Sequence, residues 1–267
     1  MALPHDERAT SSAATVRGRA RRGELTGVTA GLAPEFAQAN LAVVPRDVAY
    51  DFLLFCVRNP KPCPLLDVTD PGSPHPPYAA PNADLRTDLP RYRVYRGGDL
   101  VDEPASIERY WADDLVAFLL GCSFTFEQAL LDAGIPLRHL ERGCNVPMYR
   151  TTIACRPAGV FRGPLVVSMR PIPAHLVSAA VRVSGRYPAV HGAPLHVGAP
   201  EALGIRDLSR PDWGDPLPIL EGELPVFWAC GVTPQAVAMA ARPRLMITHA
   251  PGCMFVTDIP VSALSVA

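Results

Sequence analysis

Residues 115–134 read LVAFLLGCSFTFEQALLDAG, and this stretch decides the fold. The apolar run 115–120 is long enough for a buried strand and too short for a membrane span, and it breaks at Gly121-Cys122-Ser123 into a helical pattern. Thr125 and Gln128 have the spacing of a capping box, and Gly134 supplies a left-handed stop. The reading is strand, turn, helix. Such a turn presents backbone amides at the positive end of a helix, which is a place to hold a carboxylate or a phosphate.

The pattern returns at residues 227–235, FWACGVTPQ, and runs on into an Ala/Val/Met-rich helix. Aligned without gaps, Cys122 matches Cys230, Thr125 matches Thr233 and Glu127 matches Gln235. Two readings stay open. One is coincidence between ordinary strand-to-helix turns; the other is a duplicated half-domain whose two helix N-termini face one cleft. The second predicts that Ser123 and Gly231 lie close together and that both turns handle a common acidic molecule.

The bulk properties exclude several classes. A formal net charge of -1 over 267 residues leaves no electrostatic footprint for nucleic acid. No run approaches the length of a membrane span, and the N-terminus lacks the charged-then-apolar order of a secretory signal, so a soluble, cytoplasmic protein is expected. Seven scattered cysteines without a C-x-x-C pair, and no H-E-x-x-H, give no dedicated metal site. Lys61, the single lysine, stands between Pro60 and Pro62, an awkward place for a Schiff base. There is no Walker A loop and no G-x-G-x-x-G after a strand. The expected cofactor set is therefore none, and the expected partner is a small acidic metabolite rather than nucleic acid or membrane, with a homo-oligomer left open.

Along the chain, residues 1–22 read as a mobile Arg-rich tail. Residues 29–44 read as a turn followed by a short helix. A second helix opens at Pro45 with Val48, Phe52, Phe55 and Cys56 on one face, and Pro60 ends it. Nine prolines between positions 60 and 90 make either a surface wrap or a wall of the site. Residues 145–224 read as an inserted α+β subdomain, and residues 23–144 with 225–267 as the main α/β domain. The strand-helix-strand unit at 225–248 suits parallel pairing. The fold class is thus α/β: a mixed sheet with flanking helices, an internal duplication, and a smaller two-layer α+β subdomain.

Candidate catalytic residues are Cys122 and Ser123, where a helix dipole would favour an anion and lower a thiol pKa, and His249, which follows the strand at 245–248. Candidate substrate-binding residues are Thr125, Thr233 and Gln235 at the helix starts, Gly231 in the second turn, and Asn145 with Arg150, whose guanidinium fork suits a carboxylate.

Several runs carry a family resemblance: Ala49-Tyr50-Asp51-Phe52-Leu53-Leu54-Phe55-Cys56, Asn59-Pro60-Lys61-Pro62-Cys63-Pro64, Gly121-Cys122-Ser123-Phe124, Asn145-Val146-Pro147-Met148-Tyr149-Arg150-Thr151 and Ile247-Thr248-His249-Ala250-Pro251-Gly252. Together they resemble the D-glutamate cyclase family, which includes many bacterial hydro-lyases. The resemblance implies dehydration of D-glutamate to 5-oxo-D-proline without an organic cofactor. On that expectation His249 takes the ammonium proton, amides near residues 122–125 stabilise the oxyanion, and Arg150 with the 233–235 turn holds the α-carboxylate. A hydro-lyase acting on another small carboxylic or hydroxy acid, and a noncatalytic carboxylate-binding protein, are the alternatives.

Overall fold

The structure, a computed structural model, describes residues 11–266. In chain order its main elements are α1 (Ala13–Arg21), β1 (Phe36–Pro45), α2 (Arg46–Arg58), β2 (Leu65–Val68), β3 (Tyr92–Arg96), β4 (Asp99–Asp102), β5 (Leu115–Gly121), α3 (Glu127–Asp132) and α4 (Arg138–Arg142). There follow β6 (Met148–Ala154), β7 (Pro164–Pro173), α5 (Val177–Gly185), β8 (His196–Val197), β9 (Glu223–Ala229), α6 (Thr233–Ala241), β10 (Met246–His249) and β11 (Phe255–Pro260).

These strands form two sheets flanked by helices, an α/β arrangement. One has seven strands in the order β2-β5-β1-β10-β3-β4, with β11 also on β1; the other has four in the order β6-β7-β9-β8. All the pairings among the described residues are antiparallel, which corrects the parallel unit expected at 225–248. The reason is that β9 and β10 part company: β9 joins β7 in the smaller sheet, and β10 joins β1 in the larger. The chain therefore does not return to the first sheet at residue 225, where the expected subdomain boundary lay.

The two sheets share a plan. β1 runs into α2 and then β2, and β7 runs into α5 and then β8. Four strands of the larger sheet, β2-β5-β1-β10, match β8-β9-β7-β6 of the smaller in order and in chain sense, with β6 and β10 each crossing to the sheet begun by the other segment. This is the topology that an internal duplication with exchanged last strands would leave.

β1 sits at the centre of the larger sheet, where residues 29–44 had read as a turn and a helix. Ala39, Leu41 and Val43 pack on one face, against the proline-rich segment, and Ala42 and Val44 on the other, between the sheets. Burial on both faces removes the polar alternation that marks a strand, and alanine favours a helix locally; tertiary pairing overrides that preference. The 60–90 segment buries Ala79, Ala80, Ala83, Leu85 and Leu89 on the outer face of this sheet. It is a covering layer rather than a wall of the cleft.

The expected mobile tail is corrected for residues 13–21. Ser12 caps α1, Ala13 and Val16 pack with Val256 of β11, and the buried Arg17 guanidinium lies 2.8 Å from both Val256 O and Asp258. Residues 1–10 of that expectation lie outside the described residues.

Candidate functional site

Both repeated turns fold by the same hydrogen bonds. After β5, Cys122 N–H donates to Gln38 O of β1 (3.0 Å), and Thr125 Oγ1 accepts from Gln38 N (3.0 Å). After β9, Cys230 N–H donates to Val166 O of β7 (2.9 Å), and Thr233 Oγ1 accepts from Val166 N (3.1 Å). Each threonine thus ties its turn to the neighbouring strand. Thr233 also donates to Cys230 O at 2.7 Å, so both hydroxyls serve the backbone and neither is free for a substrate.

Asn40 of β1 joins the two turns. Its Nδ2 donates to Gly121 O (2.8 Å) and Leu120 O (3.2 Å) at the end of β5. Gly231 of the second turn packs on the same amide: a Cβ at this position would stand 1.9 Å from Asn40 Nδ2. Gly231→Ala must expel the Asn40 side chain from both of its bonds. We expect a loss of about 1–3 kcal/mol, read as a lower urea midpoint with an unchanged slope.

Between the turns lies a small cleft, lined by Asn40, Cys122, Ser123, Phe124, Asn145, Val146, Met148, Ser168, Cys230, Val232, His249, Gly252 and Met254. None of these side chains carries a charge in the state that burial favours. Burial pushes the Cys230 thiol up to about 11 and Cys122 further still, outweighing the amide that Phe124 N–H directs at Cys122 Sγ. The expected low-pKa cysteine nucleophile is therefore corrected: both thiols stay protonated near neutral pH.

Burial likewise lowers His249 to about 4, so its imidazole is neutral. Its Nδ1 lies 3.2 Å from Leu41 N and 3.3 Å from Leu41 O. A buried backbone N–H is costlier to leave unpaired than a carbonyl with two lone pairs, so Nδ1 accepts from Leu41 N–H and the proton resides on Nε2. That Nε2 is buried and has no protein partner among the described residues, and His249 is one of the residues lining the cleft. This tautomer makes His249 a donor, which corrects the expected general base. Gln235, also expected to bind substrate, instead donates from Nε2 to His249 O at 2.7 Å and so fixes this strand end.

Asn145 reaches the cleft from the opposite side. Nδ2 donates to Pro251 O (3.0 Å), which fixes the amide orientation, and Oδ1 is left buried without a partner. Arg150 does not reach the cleft. Its side chain is 43% exposed, its guanidinium lies 4.9 Å from the centre of the Trp213 ring, and it lines a separate groove with Asp207, Arg210 and Asp212.

The sequence reading weighed Arg170 among the arginines of this segment and preferred Arg150, but the arginine that matters here is Arg170. Arg170 of β7 is 1% exposed and donates from Nη2 to Ser123 Oγ (3.0 Å) and from Nη1 to Ser168 Oγ (3.2 Å), two hydroxyls of the cleft lining. Glu127 Oε1 accepts from Arg170 Nε at 3.0 Å, and His139 Nε2 lies 2.9 Å from the same oxygen. With one lone pair engaged by the guanidinium, each serine keeps its O–H for the cleft. Among the described residues, the Ser123 and Gly231 N–H groups also find no acceptor. Asn40 and Ser168 were missed. The available signal was a pair of polar residues two apart inside each of two otherwise apolar runs, Gln38 with Asn40 and Ser168 with Arg170.

No group of three or more His, Cys, Asp or Glu among the described residues is arranged to hold a metal ion. No described helix is long and apolar enough to cross a membrane.

A family model described as D-glutamate cyclase matches residues 116–258. A relative from Stutzerimonas stutzeri is 65% identical over 255 residues, which is 96% of this chain and 96% of the relative. Another from Rubrobacter xylanophilus is 67% identical over 246 residues, covering 92% and 95% of the two chains. A third, from Bacillus subtilis, is 59% identical over 251 residues, covering 94% and 98%. All three carry the words "Putative hydro-lyase" in their names. Among solved structures, a nitrogen repressor-like protein from Methanococcus jannaschii covers 91% of this chain with a TM-score of 0.38 and 9% identity, a likeness that carries no argument.

Proposed function

Since the chain belongs to the D-glutamate cyclase family, we propose that it is a hydro-lyase whose cleft closes D-glutamate to 5-oxo-D-proline with loss of water. The observation that carries this reading is the small, uncharged cleft between the paired turns, with unpartnered donors on its walls. Substrate brings its own acid and base. An uncharged surround disfavours both the ammonium and the side-chain carboxylate, so it raises the carboxyl pKa and lowers the amine pKa. One proton passes from nitrogen to the carboxyl. The neutral amine then attacks the carboxyl carbon, the C–N bond forms, the C–O bond breaks, and two protons from nitrogen depart on that oxygen as water. No protein base is required, which agrees with a His249 that is a donor.

The protein's part is orientation and hydrogen bonding. Attack within one molecule already has a high effective concentration once the chain is held folded. His249 Nε2–H and the Ser123 hydroxyl donate to the oxyanion, and the free Gly231 N–H ahead of α6 receives the α-carboxylate.

Incubation of purified protein with D-glutamate should yield 5-oxo-D-proline, followed by proton NMR and chiral chromatography. His249→Ala should lower kcat by about 10²–10³ as an oxyanion donor is removed. Absence of product from the wild-type protein would remove the assignment, and unchanged kcat in the variant would remove His249 from the chemistry.

A further inference from the structure

Two residues of the cleft lining each carry a buried polar atom without a protein partner, and the two atoms differ in kind. Asn145 Oδ1 can only accept, because Nδ2 is committed to Pro251 O. His249 Nε2 donates, because Nδ1 is engaged by Leu41 N–H. The side chain of His249 is almost wholly enclosed, with the residue 1% exposed. A buried polar atom that no protein group satisfies is the mark of a ligand contact or an ordered water. The pair calls for one ligand atom bearing hydrogen and one bearing a lone pair.

We infer that Asn145 is the specificity residue for the substrate amine: its Oδ1 accepts an N–H from the α-amino group while His249 Nε2–H holds an oxygen of the same molecule. The cleft is thereby selective for an amino acid over the plain dicarboxylic acid of equal length. That acid presents only acceptors once ionised, so it leaves Asn145 Oδ1 buried and unpaired. A hydrogen bond from Oδ1 also sets the direction of the nitrogen lone pair, which makes Asn145 a positioning residue for attack. Cys122 and Cys230 are protonated thiols, and the Ser123 and Ser168 oxygens each already accept from Arg170.

This rests on the reading of the cleft as a D-glutamate site, and binding separates the two. Isothermal titration of the full chain with D-glutamate and with glutarate should show the amino acid binding roughly tenfold to a hundredfold more tightly, the cost of an unpaired buried acceptor. Asn145→Leu should erase the preference. Because that change also removes the bond to Pro251 O, Asn145→Asp is the second variant. Its carboxylate attracts the ammonium and repels glutarate, so the preference should widen, while kcat falls as the ammonium is stabilised. Circular dichroism melts confirm that each variant is folded. Equal affinity for the two acids, heat from neither, or a preference that survives Asn145→Leu overturns the inference. A preference without product keeps it and removes the cyclase reading. Product with no preference does the reverse.

Discussion

Glu127→Ala should destabilise the protein by about 3–5 kcal/mol, more than any ion-pair deletion on its surface. Glu127 is 2% exposed and faces the 1% exposed Arg170, whose guanidinium lies 5.9 Å from the centre of the Phe126 ring and 5.3 Å from that of Trp228. Burial alone would push the Glu127 carboxyl up, but His139 and Arg170 together hold it below the ordinary glutamate value. Removing the carboxylate strands a buried cation beside two aromatic rings. The exposed pair Arg22–Glu24, by contrast, is screened by solvent and should contribute little. Urea titrations would read both differences.

The same pair separates stability from activity. Replacing Glu127 by Leu together with Arg170 by Met removes both charges and leaves neither unpaired, so most of the lost stability should return. Ser123 and Ser168 would still lose the guanidinium that orients their hydroxyls. The double variant is therefore expected to be folded and slow. If it regains wild-type turnover, Arg170 is a structural residue only. If Glu127→Ala alone costs under about 1 kcal/mol, the buried pair is not acting as a pair.

How much of this was legible in the sequence follows from which residues act locally. The turn at 121–125 announces itself, because an apolar run broken at Gly121-Cys122-Ser123 is a short-range signal that recurs where the run to Ala229 breaks at Cys230-Gly231. The threonines expected as helix caps instead accept from the neighbouring strands, at Gln38 N and Val166 N. The convergence of the turns was legible only as a bet on a repeat. The tautomer of His249 was not legible, since it depends on Leu41 N–H, a distant group brought near by the β1–β10 pairing. Arg150 and Arg170 look alike in the sequence. Only the sheet register decides that one stacks on Trp213 at the surface while the other lies buried beside Phe126 and Trp228. Strand β1 hid for the opposite reason: both of its faces are buried, so its pattern carries no period.

Acid should destabilise the fold steeply between pH 6.5 and about 4, and two histidines set that window. Burial lowers His249 to about 4, helped by the charge of Arg93, and burial lowers His191 to about 4, helped by Lys61 and Arg170. In the unfolded chain both take up a proton near 6.5, so over this range the unfolded state binds more protons than the native state. Stability is complete above 6.5 and falls as the pH falls. Each unit crossed costs about 1.4 kcal/mol per histidine, or about 3 kcal/mol each by pH 4. Measuring unfolding free energies at intervals from pH 7.5 to 5 keeps clear of most carboxylate titration, and His191→Gln with His249→Gln should flatten the slope. The catalytic profile should differ from that of an enzyme using a histidine base. A His249 that stays neutral as a donor gives no inflection near 6.5 in kcat, and its loss of function should coincide with protonation near 4. An inflection at 6.5 that disappears in His249→Gln would return the residue to the role of base and would reverse the tautomer assigned from Leu41.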